Sequence, residues 1–204
     1  GISGSWDTPI AKLAFLCDHK EFTKKGDYAS MNYPDSILLP LLSKSLSKKS
    51  TSPRLFILHT MGSHMNFEAR LEHSIHYDYY NRKVSAYIQT IEQTDTLLAN
   101  IYQLLQQQGA PFSMLYFSDH GQIKENEIYK HGDYREAVQV PYFVWFSPSI
   151  KTDKKGQKIE EPTSITTVYS KVLELMGTKN PKTVDNTGKY LRLDLNTMKY
   201  DDLK

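Results

Sequence analysis

Two short segments concentrate the residues able to do chemistry. The first is His59-Thr60-Met61-Gly62-Ser63-His64, two histidines five residues apart with a glycine between them. On a helix that spacing serves shared ligation poorly, but a loop can bring the two imidazoles together. The second is Ser118-Asp119-His120-Gly121. Adjacent Asp and His at a turn can reach one metal ion together, and a carboxylate oxygen with an imidazole nitrogen suits zinc, manganese or iron. Gly121 lets the backbone turn tightly behind the pair. The alternative is that Asp119 and His120 are ordinary turn residues, with His120 bonded to backbone. His131, beside Gly132, is a weaker third candidate. His19, His73 and His76 lack supporting neighbours and read as surface residues. Asp95 sits between apolar positions of a helical pattern. A carboxylate near a buried face needs partners, so Asp95 is expected to be a structural hydrogen-bond hub.

The elements that must position these groups alternate between strand and helix. Asp7 or Thr8 caps a short helix with Pro9 in its first turn. Asp35 or Ser36 caps a second helix over residues 37–42. Ser43–Pro53 is a polar linker. Leu55–Leu58 is an apolar run that ends in the first histidine segment, as a buried parallel strand would. In open α/β sheets ligands sit at the carboxyl ends of strands, so both histidines are well placed. Tyr79–Gln108 is a long helix, its apolar face marked by Val84, Ile88, Ile91, Leu98, Ile101 and Leu105, with Gly109 as its stop. Met114–Phe117 repeats the strand design and delivers Asp119 and His120. A polar loop carries His131, Val140–Phe146 is a third strand, and Lys151–Pro162 is a charged loop. Thr163–Met176 is a last helix, stopped by Gly177. Thr178–Lys204 is a late strand or hairpin.

Composition narrows the function classes. The chain has 204 residues, 39% of them hydrophobic and 24% charged, enough for a real core and a soluble surface. Its 25 basic and 23 acidic residues leave a net charge of +2, too balanced for a dedicated nucleic-acid binder. The lysine runs at Lys44–Lys49 and Lys151–Lys158 read as solvated loops, the alternative being contact with anionic lipid or phosphate. The longest apolar stretches, residues 37–42 and 140–146, fall far short of the ~20 residues a membrane helix needs. The single Cys17 excludes an internal disulfide and a cysteine-based zinc finger. There is no glycine-rich phosphate loop, no Gly-x-Ser-x-Gly elbow and no His-Glu-x-x-His pair. Kinase and serine-hydrolase chemistry therefore lack their main parts.

The motifs together resemble one family. Leu58-His59-Thr60-Met61-Gly62-Ser63-His64 and Phe117-Ser118-Asp119-His120-Gly121 are similar to two signature blocks of the phosphoethanolamine transferases, sulfatase-like members of the alkaline phosphatase superfamily. Further blocks agree in order: Gly4-Ser5-Trp6-Asp7-Thr8-Pro9, Tyr33-Pro34-Asp35-Ser36-Ile37-Leu38-Leu39-Pro40, Tyr87–Asp95 on the long helix, Glu125–Gly132, and Val140–Trp145. The resemblance runs from about residue 4 to 176 and implies a three-layer α/β/α sandwich with a mainly parallel sheet. It implies that residues 1–204 are a single domain, the later portion of a sulfatase-like catalytic domain. The implied activity is transfer of phosphoethanolamine from phosphatidylethanolamine to lipopolysaccharide, on lipid A or a core sugar, through a phosphothreonine intermediate. By the same resemblance Asp119 and His120 are zinc ligands, with manganese as the other metal. His64 and His131 stand beside the phosphate and a second metal position, and His59 plays a supporting part. Imidazolium groups there could stabilise phosphoryl oxygens or protonate the leaving alkoxide. The implied setting is the bacterial inner membrane, with the catalytic domain facing the periplasm and amino-terminal membrane helices as the anchor.

Several features depart from the family pattern. The family's nucleophilic threonine and its upstream acidic zinc ligand precede the region matched here, as do the membrane helices. Gln122 stands where an acidic residue usually follows Asp-His-Gly, and Cys17 has no partner for the disulfides many relatives carry. Related activities therefore remain as alternatives: a phosphoglycerol transferase, a sulfatase or phosphodiesterase, or a non-catalytic module that binds metal or phosphate. The isolated chain is expected to show no turnover and weakened zinc binding, since two protein ligands give up much of the coordination energy of four. Robust transfer by the isolated chain would show that the nucleophile lies within it.

Overall fold

The computed structural model describes residues 8–23, 33–79, 81–126, 128–132, 134–153, 156–159, 163–178, 191–194, 197 and 199–202. The expected blocks at Gly4–Asp7, including the Asp7 cap, lie outside them. The chain divides into two compact units, residues 1–109 and 110–204.

The first unit is helical in its described residues. Helices α1 (Thr8–Phe15), α2 (Leu38–Leu46) and α3 (Arg82–Gln107) are joined by irregular segments and two short 3₁₀ turns, Asp35–Ile37 and Phe67–Arg70. Asn81 starts α3: its side-chain oxygen accepts the Val84 N–H at 2.9 Å and so satisfies one of the amides a helix start leaves open. That cap sets the start at Arg82, three residues past the expected Tyr79. The 37–42 helix also differs from expectation. It begins with the 3₁₀ turn and runs on to Leu46, into the expected linker, and neither Asp35 nor Ser36 caps it through a side chain. Leu42 and Leu46, one turn apart, are buried where α2 packs on α3.

The buried stripe of α3 follows the expected apolar face only in part: Ile101 is buried and Val84, Ile88, Leu98 and Leu105 are half-buried. It runs through Ser85, Ala86, Gln89, Thr90, Leu97 and Ile101, while Ile91 is 47% exposed. Asp95 is exposed and is no hub. Two glutamines take that part instead. Gln93 accepts the Glu72 N–H at 2.9 Å and donates to the Arg70 carbonyl at 3.0 Å. Gln89, one turn earlier, accepts the His76 N–H at 3.1 Å and donates to the Ser74 carbonyl at 3.0 Å. Each side-chain amide thus offers the extended segment 70–76 one acceptor and one donor, as a neighbouring strand would. Phe67 locks the segment's start, 2% exposed with its ring 5.0 Å from that of Tyr87.

Leu55–Leu58 is not a strand. A parallel strand buried on both faces needs paired neighbours and covering helices, and the described residues of the first unit hold no strand for it to join. Leu55 and Ile57 are 52% and 55% exposed. Arg54 ties the segment's start to the end of α2, donating to the Ser45 and Lys48 carbonyls at 3.0 and 2.9 Å.

The second unit holds strands β1 (Ser113–Phe117), β2 (Ile123–Glu125), β3 (Ile128–Lys130), β4 (Tyr142–Phe146), β5 (Leu191–Asp194) and β6 (Lys199–Asp202), with helix α4 (Val168–Leu175) between β4 and β5. β1 pairs antiparallel with β4, Ser113 opposite Phe146 and Phe117 opposite Tyr142. Ser147, 4% exposed, extends that ladder by exchanging bonds with the Phe112 backbone through its own N–H and its hydroxyl. β2 and β3 form a hairpin inside the expected polar loop, and β5 and β6 form the terminal hairpin. β4 starts only at Tyr142, after Pro141, which has no N–H to give a ladder. Every strand pair among the described residues is antiparallel, so the expected mainly parallel pairing is not what these strands form.

The packing of the first unit makes a prediction for stability. Gln89→Leu leaves the backbone groups of His76 and Ser74 without partners and should cost about 1–3 kcal/mol. Phe67→Ala opens a cavity beside Tyr87 and should cost about 3–5 kcal/mol. Urea unfolding, with the midpoint shifted and the slope unchanged, checks both. An unmoved midpoint in Gln89→Leu would remove the glutamine from this account.

Candidate functional site

In the first unit the His59–His64 segment is an irregular loop held by side chains from two directions. The Asp35 carboxylate accepts the Met61 N–H at 3.0 Å through one oxygen and the Gly62 N–H at 2.8 Å through the other. The Arg70 guanidinium, 9% exposed, donates its Nε–H to the Gly62 carbonyl at 3.0 Å. Gly62 has φ +51°, the left-handed region that costs glycine little. A carboxylate therefore binds the loop's amides and a guanidinium binds its carbonyl. Gly62, Asp35, Ser36, Arg70, Glu72 and His76 also border a cavity of about 330 Å³. His64 is half-buried with Nδ1 3.4 Å from the Met65 carbonyl, and His59 is exposed. His19, His73 and His76 are exposed, as expected. His76 nevertheless pairs with Glu92 at 3.0 Å.

In the second unit the end of β1 feeds the other candidates. Ser118 donates to the His120 carbonyl at 2.8 Å, and the His120 N–H donates to Asp119 Oδ1 at 3.0 Å, so this turn is closed by its own side chains. Next, the Gly121 N–H donates to the Ala137 carbonyl in the 3₁₀ turn Arg135–Val138. No larger residue fits Gly121 well: an added Cβ would stand 3.3 Å from the Ala137 carbonyl oxygen and 3.4 Å from that of Gln139. The β2–β3 register, with Ile123 opposite Lys130, carries the chain back so that His131 follows directly. The His120 and His131 rings stack at 4.4 Å and 28°.

His120 Nδ1 lies 2.9 Å from the Gly121 carbonyl. A carbonyl only accepts, so Nδ1 is the donor, and in the neutral ring Nε2 is the nitrogen that has the lone pair. That nitrogen stands 3.9 Å from Asp119 Oδ2, and the Asp119 side chain is 85% exposed. Two donors bound at about 2.0–2.2 Å to one tetrahedral zinc sit roughly 3.4 Å apart, so a small rotation would let both bind one ion. Among the described residues no group of three or more His, Cys, Asp and Glu is gathered for a metal. Asp119 and His120 are thus two adjacent donor groups, and the Gly121 carbonyl on Nδ1 is the kind of outer-shell partner that ligating histidines have.

Lys130, next to His131, adds a fixed positive charge. Its ammonium pairs with Glu125 and lies 4.8 Å from the centre of the Tyr134 ring. The bond to Glu125, then that to Tyr134, raises its pKa above the ordinary 10.5. The folded state holds the cation more tightly than the unfolded chain does. That stabilisation is fully present below pH 10.5 and is lost as pH rises through the raised value.

The structure brings together Asp119, His120 and His131 in one unit and carries His59 and His64 on one loop of the other. Arg70 had no functional signal in the sequence, and Asp35 had only its place before a helix and within the Tyr33–Pro40 block. Gly121→Ala should push the 135–138 turn away, part the stacked rings and cost about 1–3 kcal/mol. Loss of through-space contacts between the two imidazoles in NMR spectra checks it, and an unchanged stack would contradict the tight fit.

Comparison with known proteins follows the same blocks. Residues 7–178 match the family model described as Sulfatase. The chain is similar to the phosphoethanolamine transferase OpgE of Escherichia coli K12, 34% identical over 166 residues, which cover 78% of this chain and 31% of that protein. It is also similar to a putative phosphoethanolamine transferase of Haemophilus influenzae, 34% identical over 147 residues, 63% of this chain and 30% of that one. The Kdo(2)-lipid A phosphoethanolamine 7''-transferase of Salmonella typhimurium is 24% identical over 173 residues, covering 72% and 30%. The chain spans about three tenths of the length of these relatives. No solved structure matches significantly.

Proposed function

The chain belongs to the sulfatase family, and from that premise we propose that it is part of a phosphoethanolamine transferase. The substrate pair is phosphatidylethanolamine as donor and lipopolysaccharide, on lipid A or a core sugar, as acceptor. The complete catalytic domain would be a three-layer α/β/α sandwich with a mainly parallel sheet, anchored in the bacterial inner membrane and facing the periplasm. Among the described residues no helix is long and apolar enough to cross a membrane, so the anchor would be another part of the protein.

One observation carries the reading: the His120 ring is held through Nδ1 by the Gly121 carbonyl, which leaves its Nε2 facing Asp119 at 3.9 Å. Those two groups would hold zinc, or manganese, as part of its ligand set. Such an ion, when bound, supplies positive charge that lowers a nucleophile's pKa and offsets charge on the phosphoryl group. The chain's own histidines would add to this, while the nucleophilic threonine that the family resemblance implies is not among its residues. His64 and His131 are donors for phosphoryl oxygens, and His59 supports that loop. As the phosphorus–oxygen bond to diacylglycerol breaks and the bond to a deprotonated hydroxyl nucleophile forms, an imidazolium gives its proton to the departing alkoxide. The acceptor hydroxyl, its proton taken by that imidazole, then attacks phosphorus and releases the nucleophile. Both charge stabilisation and proton transfer would then come from imidazoles, of which His120 is held by a backbone carbonyl.

The test uses the full-length gene product with vesicles of phosphatidylethanolamine or of phosphatidylglycerol and a lipopolysaccharide acceptor. Mass spectrometry should find phosphoethanolamine on the acceptor with the first donor only. His120→Ala and Asp119→Asn should lower turnover by about 10²-fold or more, and bound zinc by about 10–100-fold in affinity. Transfer from phosphatidylglycerol alone would make the protein a phosphoglycerol transferase. Unchanged zinc affinity in both variants would remove Asp119 and His120 from the metal.

A further inference from the structure

We propose that Asp35 and Arg70 are positioning residues that set where the His64 imidazole stands during phosphoryl transfer. The proposal rests on the functional reading above and goes beyond it, because neither residue has a part in the chemistry. Asp35 lies in the 3₁₀ turn before α2, 26 and 27 residues from the amides it binds. Its two oxygens take two consecutive N–H groups, Met61 and Gly62, so the carboxylate fixes the orientation of both peptide planes. Arg70 then takes the Gly62 carbonyl from the following side. With Gly62 at φ +51°, the chain direction changes between the two grips.

His64 lies two residues after Gly62, so only the few backbone dihedrals of that short run separate its Cα from the gripped peptide. The grips are themselves anchored. The Arg70 carbonyl accepts from Gln93 of α3 at 3.0 Å, and Ser36, next to Asp35, donates to Glu72 at 2.7 Å. Both ends of the clamp therefore rest on the segment that Gln89 and Gln93 staple to the long helix. An imidazole that must meet a phosphoryl oxygen within hydrogen-bond reach tolerates little drift. A misplacement of about 1 Å at such a site can cost about 10²-fold in rate.

The experiment measures initial rates of headgroup transfer by the full-length gene product for Asp35→Asn, Asp35→Ala, Arg70→Lys and His64→Ala, each checked for folding by its melting temperature. Asn keeps one acceptor oxygen but cannot take both amides, so Asp35→Asn should lower kcat about tenfold to hundredfold. Its KM for the donor lipid should stay within about twofold, the signature of an interaction lost in the transition state alone. Asp35→Ala should lose more than Asp35→Asn. Arg70→Lys keeps the charge but loses the planar N–H directed at the carbonyl, and should also lower kcat at constant KM. If the Asp35 variants do not fold, Arg70→Lys decides alone. His64→Ala separates the two levels of the account. If it is inactive while folded Asp35→Asn and Arg70→Lys keep the original kcat, the positioning proposal is wrong and the functional reading stands. If His64→Ala keeps full activity, the role of the loop fails and this proposal fails with it.

Discussion

The first unit depends on one carboxylate. Asp35 binds two adjacent backbone amides of a loop that has no strand ladder among the described residues to hold it. Hydrogen bonds to a charged acceptor contribute about 1.5–3 kcal/mol each, roughly twice a neutral pair. Two of them on one loop can offset the entropy of ordering a few residues, at about 1–2 kcal/mol per residue. Arg70 completes the hold by taking the carbonyl on the far side of Gly62. The irregular run 55–76 thus has a defined course because side chains stand in for the missing strand partners. Asp35 and Arg70 do so at the histidine loop, Gln93 and Gln89 on the stretch that follows.

The second unit solves the same problem with backbone. The Asp119–His120 turn leaves β1 and closes on its own side chains, then docks through the Gly121 amide on the 135–138 turn. Only a residue without Cβ sits there easily, which gives the glycine after Asp-His a packing reason as well as a conformational one. The carbonyl of that same glycine fixes the His120 tautomer. One residue therefore sets both the place of the imidazole and which of its nitrogens is available.

Much of this was legible in the sequence where the signal is local. The long helix, β1, β4 and α4 follow from periodicity, apolar runs and stop residues such as Gly109 and Gly177, while the terminal segment was open between a strand and a hairpin. The Asp119–His120 turn was legible as well: its alternative reading, ordinary turn residues with His120 bonded to backbone, describes the contacts that form. What was not legible depends on distant partners. Asp35 looks like a helix cap, since nothing nearby reveals that its partners lie 26 residues on. Gln89 and Gln93 look like solvent residues until the segment they bond is known. Leu55–Leu58 has strand composition, but strand formation is a property of pairs, and the described residues of its unit offer none. The β2–β3 hairpin escaped because its strands are three residues each and mostly polar.

The histidine loop lies within the residues that match the family model, and it is held by Asp35 and Arg70 from outside the loop. Amide hydrogen exchange at Met61 and Gly62 tests that hold most directly. The account predicts that both amides exchange far more slowly than those of an unstructured loop, and that Asp35→Ala releases both while the amides of α3 stay protected. Fast exchange of both in the unaltered protein, or protection that survives Asp35→Ala, would contradict it.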